Sequence, residues 1–306
     1  MPQDEAEAVK WYRRAAEQNF AEAQFNLGRC YDNGRGVPRD EAEAAKWYRK
    51  ATEQNLAAAQ FNLGCCYDHG QGVVRDETEA VNWYRKAAEQ SYPKAQYALG
   101  ACYSKGRGVV RDYAEAARWY RKAADLNLAE AQLTLGDRYE KGQGVKQDET
   151  EAAKWYLKAA ELGNDEGQYR LGVAYHEGKG VRKDFVEAGR WYRKAVEHGN
   201  ASAQFNLGSC YSYGEGVAED AAEAVKWYRL AAEQGHGDAQ CYLGSAYLNG
   251  QGVEKDFLEA YKWLNMAAAR GNEYARKNRD SLEQMMSSAQ IAEGQRLSRE
   301  FKPKKQ

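Results

Sequence analysis

Apolar and small residues fall on a three-four spacing that restarts at a constant interval along nearly the whole chain. Ala44, Trp47, Tyr48, Ala51 and Asn55 stand at i, i+3, i+4, i+7 and i+11. That spacing puts an indole, a phenol and small residues on one stripe of a helix. All eight tryptophans, Trp11, Trp47, Trp83, Trp119, Trp155, Trp191, Trp227 and Trp263, share this position at 36-residue intervals. A fixed period with no insertion marks one supersecondary unit stacked repeatedly, which predicts an all-α solenoid of helix pairs. Helices of about four turns are marginal alone in water, so neighbouring repeats must supply the burial that holds them.

The ends of each helix are written in the same period. Asp40 and Glu43 recur from Asp4/Glu7 to Asp256/Glu259. They predict an N-cap with a glutamate at N3, an Asp form of the capping box contributing roughly 1 kcal/mol per helix. Asn19, Asn55, Asn127, Gly163, Gly199, Gly235 and Gly271 stand where a left-handed residue ends this second helix, and Ser91 breaks the series. A first helix, Ala21 to Asn33, turns Ala23, Leu27, Cys30 and Tyr31 toward its partner and stops at Gly34. Gly34 and Gly36 recur to Gly250 and Gly252, predicting a loop with positive φ. Gly28 recurs to Gly244 in mid-helix, where glycine costs about 1 kcal/mol relative to alanine. The return is expected to be close approach of a neighbouring helix or a tryptophan ring to the bare Cα.

The predicted organisation is one elongated domain: the second helix of an incomplete repeat at 1–19, seven complete repeats at 20–271, capping helices at 272–302 and a basic tail at 303–306. Ser287 with Gln290 reads as a capping box opening a last helix that carries Ile291, Leu297 and Phe301. At the outer position held by Lys50, Lys86, Lys122, Lys158 and Lys194, the last two repeats have Leu230 and Met266. Apolar residues confined to that end predict coverage by the segment containing Met285, Ile291 and Phe301. At the other end, helix 4–17 has no first helix before it, so the chain is expected to continue upstream or to self-associate through this open end.

The recurring line Ala23-Gln24, Leu27-Gly28, Tyr31, Gly34, Gly36-Val37, Asp40, Glu43-Ala44, Lys46-Trp47-Tyr48 and Ala51 closely resembles the Sel1-like repeat family, relatives of the tetratricopeptide repeats. The resemblance covers nearly all of residues 4–271. The run Met286 to Gly294 is also similar to the closing helix of bacterial members. The resemblance implies a right-handed α/α superhelix acting as a non-catalytic scaffold or adaptor that binds proteins, often in signalling or bacterium–host contacts. A cysteine-rich bacterial branch, described as binding or weakly hydrolysing β-lactams, carries a disulfide between the helices of each unit. Here the second helices contain no cysteine, which counts against that rival reading. A purely architectural, self-assembling spacer is a third.

Composition removes other classes. With 44 basic against 45 acidic residues and no like-charge block outside Lys302-Pro303-Lys304-Lys305, nothing marks a nucleic-acid or membrane-surface protein. No apolar run approaches the roughly 20 residues that span a bilayer, and Met-Pro-Gln-Asp leads straight into a helix cap without a signal peptide. Cys30, Cys66, Cys102 and Cys210 share one repeat position. Equivalent positions on packed helices lie about 8–10 Å apart, beyond the reach of a disulfide. The thiols therefore read as buried and unpaired, favouring the cytoplasm, or a periplasmic or secreted location if a leader has been removed.

Candidate chemistry is thin. His69 follows Cys65 and Cys66 at helical spacing, a partial metal set that nothing completes. Ser91-Tyr92-Pro93-Lys94 matches S-x-x-K but lacks its companion motifs. The Gly-x-Gly loops lead into aspartate caps that would repel a phosphate. No cofactor, metal or catalytic residue is therefore assigned.

What remains is the variable face of the first helix, positions equivalent to 22, 25, 26, 29, 32 and 33, which in tetratricopeptide relatives lines the concave groove. Its candidate partner-binding residues are Phe25, Asn26, Phe61, Asn62, Tyr97, Tyr169, Arg170, Phe205, Asn206 and Tyr242. Rings beside carboxamides suit an extended peptide, the rings as anchors and the amides for its backbone. The alternative is that the rings at position 25 pack between first helices as core.

Overall fold

The computed structural model describes residues 2–304; Met1, and Lys305 and Gln306 of the basic tail, lie outside the described residues. Among the described residues there are seventeen helices and no strand. The chain divides into two compact units, residues 1–148 and 149–306. The first holds α1 (Pro2–Glu17), α2 (Ala21–Asn33), α3 (Glu41–Glu53), α4 (Ala57–His69), α5 (Glu77–Glu89), α6 (Pro93–Lys105), α7 (Tyr113–Asp125) and α8 (Ala129–Lys141). The second holds α9 (Glu149–Glu161), α10 (Asp165–Glu177), α11 (Phe185–Glu197), α12 (Ala201–Tyr213), α13 (Ala221–Glu233), α14 (Gly237–Asn249), α15 (Phe257–Ala269), α16 (Glu273–Glu283) and α17 (Ser288–Glu300). Within each unit consecutive helices pack on one another as far as α16, and α17 packs back on α15. The fold is thus all-α and built of consecutive helix pairs.

The mid-helix glycines are explained by tyrosines rather than tryptophans. A Cβ on Gly28 would lie 2.7 Å from the Tyr48 ring, and one on Gly172 2.6 Å from that of Tyr192. Gly64, Gly100 and Gly208 face Tyr84, Tyr120 and Tyr228 in the same way, while Gly244 receives Leu264. The tyrosine of each second helix lies against the bare backbone of its own repeat's first helix, and the rings are buried as a result. The tryptophans lie elsewhere. Five of the indoles are roofed by a lysine one turn on, as Lys50 is over Trp47 at 4.1 Å and Lys158 over Trp155 at 3.9 Å.

The aspartates cap as predicted, Asp40 accepting the Glu43 amide at 2.9 Å. The reciprocal half of the box is not made. The Asp40 amide instead donates to the Tyr31 carbonyl at 3.0 Å, and Glu43 is left to pair with Lys46. The same backbone bond ties Asp76 to Tyr67 and Asp220 to Tyr211, so the capping residue also fastens the second helix to the first. Ser287 and Gln290 do form the reciprocal pair. In the loops, Gly34 and Gly36 have φ of 66° and 69°. Gly72 has a second reason to be glycine: a Cβ there would lie 2.0 Å from the Glu41 carbonyl oxygen, on the first turn of the preceding second helix. Ser91 keeps the left-handed turn that its neighbours make with asparagine or glycine, at φ 61°.

At the C-terminal end α17 packs on α15 through a further glycine–tyrosine contact. A Cβ on Gly294 would lie 2.5 Å from the Tyr261 ring, whose hydroxyl donates to Glu283 at 2.7 Å. Phe301 meets Trp263 edge-on at 5.4 Å, and Ile291 and Met266 join the same cluster. Coverage is narrower than predicted from Leu230 and Met285. Both stay exposed, and Met286 is the methionine that is buried. Trp11 is 59% exposed, unlike the buried Trp47 and Trp263.

A buried glutamine opens each first helix, and its fate depends on one residue of the next turn. Gln54 donates to the Gln24 carbonyl oxygen at 2.9 Å, Gln90 to Gln60 at 2.7 Å and Gln234 to Gln204 at 2.8 Å. Where Leu126 replaces the donor, the buried Gln96 Oε1 has no partner. A buried acceptor left unpaired costs about 1–3 kcal/mol. Leu126 is largely exposed, so little burial is lost by replacing it. Leu126→Gln should raise the unfolding free energy by about 1 kcal/mol, seen as a higher urea midpoint at unchanged slope. An unchanged or lower midpoint would mean that water already serves Gln96.

Candidate functional site

The tyrosine that lies on each glycine carries a hydroxyl that must be satisfied, and the groups that do so stand on the variable face of the first helices. Tyr48 donates to Asp32 at 3.2 Å and is also bonded by Asn62 of the next repeat. Tyr84 uses Cys65 and Asp68, Tyr192 accepts from Asn206 at 3.1 Å, and Tyr228 uses Ser209. Burial raises the pKa of these phenols well above the ordinary range, so they remain neutral donors and acceptors. Part of the variation at positions 26, 29 and 32 is therefore alternative ways of pairing one buried hydroxyl. This changes the reading of Asn62 and Asn206, whose amides are engaged in the scaffold.

The rings at position 25 are half-buried and rest on the same tyrosines. Phe25 lies 5.9 Å from Tyr48, Phe61 5.7 Å from Tyr84, Tyr97 5.4 Å from Tyr120, Tyr169 6.3 Å from Tyr192 and Phe205 5.7 Å from Tyr228. Their main packing is against the second helix of their own repeat, although Phe205 also meets Tyr242 of the next first helix. Arg170 is held by Glu166 at 2.8 Å. Asn26 differs from Asn62 and Asn206 in lining, with Tyr12, Arg29 and Arg35, a cavity of about 220 Å³ between α1 and α2.

Tyr242 belongs to a larger space. In the second unit a cavity of about 630 Å³ opens between α12, α14 and the start of α16, with α13 behind it. At two adjacent positions that line it the usual sizes are exchanged. Cys241 stands where other repeats place Phe, Tyr or Leu, and Tyr242 where they place Asn, Ala, Thr or Arg. Tyr213, Tyr242 and Tyr274 wall the space. Tyr213 and Tyr274, both strongly exposed, are absent from the candidates chosen by sequence. The exchange of sizes at Cys241 and Tyr242 is the sequence signal that points to this place.

Beside the cavity, His236 caps α14. Its Nδ1 accepts the Ala239 amide at 3.3 Å, and its ring stacks on Phe205 at 4.9 Å. Burial lowers its pKa below the ordinary 6.5; Asp238 opposes that and Arg270 reinforces it. The six cysteines are unpaired. Burial pushes the Cys66 thiol up to about 12 and those of Cys102, Cys210 and Cys241 to about 11, so none is an activated thiolate. Among the described residues no group of three or more His, Cys, Asp or Glu could hold a metal ion, and no helix is long and apolar enough to cross a membrane.

Comparison with known proteins agrees with this construction. The Sel1 repeat profile matches eight successive stretches, residues 1–20, 21–56, 57–92, 93–128, 129–164, 165–200, 201–236 and 237–272. The chain belongs to the Sel1 repeat family. A Sel1 repeat protein from Oxalobacter formigenes is 36% identical, with 91% of this chain and 80% of that one aligned at a TM-score of 0.72. A protective antigen of uropathogenic Escherichia coli strains displaying the same fold is 35% identical, with 97% of this chain and 79% of that one aligned at a TM-score of 0.48. No curated protein sequence matches the chain. Proteins of the family generally mediate protein–protein interactions and act as non-catalytic scaffolds.

Because the native state holds His236 neutral, the unfolded chain binds more protons just below pH 6.5. This contribution to stability is complete above that pH and is lost as pH falls through the lowered native pKa. His236→Asn keeps a cap of the kind made by Asn164, Asn200 and Asn272 but cannot titrate. Urea unfolding at pH 7.5 and 5.5 should show the parent losing more stability than this variant. A His236 pKa at or above 6.5 by NMR would contradict the assignment.

Proposed function

We propose that this chain is a non-catalytic interaction scaffold whose partner, a protein or an extended peptide, lies along the free faces of the first helices. One observation supports this above the rest. The cavity between α12 and α14 of the second unit draws Ser212, Tyr213, Tyr242, Ser245, Asn249 and Tyr274 from the exposed side of the first helices and α16. All of them stand at the positions that change from repeat to repeat while the packing positions barely do. Exposed tyrosines beside hydroxyls and carboxamides are the side chains that most often anchor a partner and satisfy its backbone. The unpaired thiols fit a reducing compartment.

The binding face is tested at two exposed side chains of the first helices. Once a partner has been captured from the native organism, Arg29→Ala in the first unit and Tyr213→Ala in the second should each weaken binding by about tenfold, with melting temperatures within a few degrees of the parent. Undiminished binding by both, together with loss on changing Lys50 and Lys86 over the tryptophans, would move the site to the opposite face.

A further inference from the structure

The cavity between α12, α14 and α16 is chemically one-sided. Tyr213, Tyr242 and Tyr274 stand at its rim, Tyr228 is buried at its base, and Glu219 is the charged residue among those that line it. The Tyr242 and Tyr213 side chains are hydrogen-bonded to each other. Asp238 lies outside the lining; it accepts from the lining Asn272 at 3.3 Å and, with Arg270, borders a separate hollow. Arg270, beyond Asn272, is committed to the Gly235 carbonyl and does not line the space. The small cavity between α1 and α2 is different, since Arg29 and Arg35 line it alongside Glu5.

Tyrosine faces carry negative charge density, and with the Glu219 carboxylate and no lining cation they favour a positive guest. The space far exceeds an ammonium group. Its remaining polar groups, the hydroxyls of Ser212 and Ser245 and the carboxamides of Asn249 and Gln251, are spread around the wall and offer acceptors in several directions. A planar guanidinium with five N–H donors and a face that stacks on aromatic rings meets both conditions, whereas an ammonium meets only the first. We propose that this cavity seats an arginine side chain of the extended partner, an inference that rests on the scaffold reading above.

The probe is acetyl-Gly-Arg-Gly-amide, titrated into the full chain while backbone amide resonances are followed by NMR. The arginine peptide should shift resonances of α12, α14 and α16 saturably and leave those of α1 and α2 unmoved. The citrulline peptide, equal in shape and uncharged, should bind about tenfold more weakly. Glu219→Gln should weaken the arginine peptide severalfold. Tyr242→Asn introduces the residue that stands at 26, 62 and 206 and should abolish saturable binding while unfolding stays cooperative. Equal binding of the citrulline peptide, preference for acetyl-Gly-Phe-Gly-amide, or shifts confined to other helices would overturn the assignment. If those results came with weakened partner binding by Tyr213→Ala, the arginine seat would fail and the scaffold reading would stand.

Discussion

Five of the repeats rest on a tyrosine ring laid on bare helical backbone, and another lays Leu264 there. Glycine in the middle of α2, α4, α6, α10 and α12 gives up about 1 kcal/mol of helix propensity, and burial of the facing ring more than offsets it. The contact also fixes how closely the two helices of a repeat approach, because a ring edge under 3 Å from the virtual Cβ leaves no room for a methyl group. Even the closing helix uses it, through Gly294 on Tyr261. The same contact shapes the candidate binding face. It drives a phenol hydroxyl through the helix pair to the far side, where Asp32, Asn62, Asp68 and Asn206 must receive it. Scaffold and ligand therefore compete for the same side chains, and only positions released from that duty are free to bind.

The turns between repeats solve one backbone problem in two ways. In the first unit Asn19 and Asn55 are left-handed, and their side chains accept from the buried glutamines Gln24 and Gln60. The first helices that follow have an apolar residue or a tyrosine at N-cap with no side-chain bond. In the second unit the left-handed residue is glycine, and Asn164, Asn200, His236 and Asn272 supply the cap. Within the second pattern, His236 is the one capping side chain whose charge changes near neutral pH.

The helices, their caps and their glycine stops could be read from the sequence because each is a local rule repeated many times. Chance agreement at fixed offsets is therefore negligible. Which ring met Gly28 could not, since tryptophan and tyrosine are adjacent on the stripe and only the helix crossing decides between them. The reciprocal capping box failed for a related reason: the Asp40 amide finds a tertiary acceptor, Tyr31 O, that no local pattern reveals. On the binding face, variability alone did not reveal that Asn62 and Asn206 bond tyrosine hydroxyls, because variation also arises when different residues pair one buried hydroxyl. Tyr242 stood among the candidates, but the cavity it walls is assembled from α12, α13, α14 and α16 together, which no local pattern reveals.

Alanine replacement of two glycines in one repeat measures the central contact most directly. Gly172 in α10 faces the Tyr192 ring at 2.6 Å, whereas a Cβ on Gly189 in the partner helix α11 would meet nothing closer than Arg193 Nη1 at 3.9 Å. The two changes add the same methyl group and gain the same helix propensity. Urea unfolding should show Gly189→Ala more stable by about 0.5–1 kcal/mol and Gly172→Ala less stable by about 1–3 kcal/mol. Stabilisation by both would contradict the account, since the ring would then not be what requires glycine.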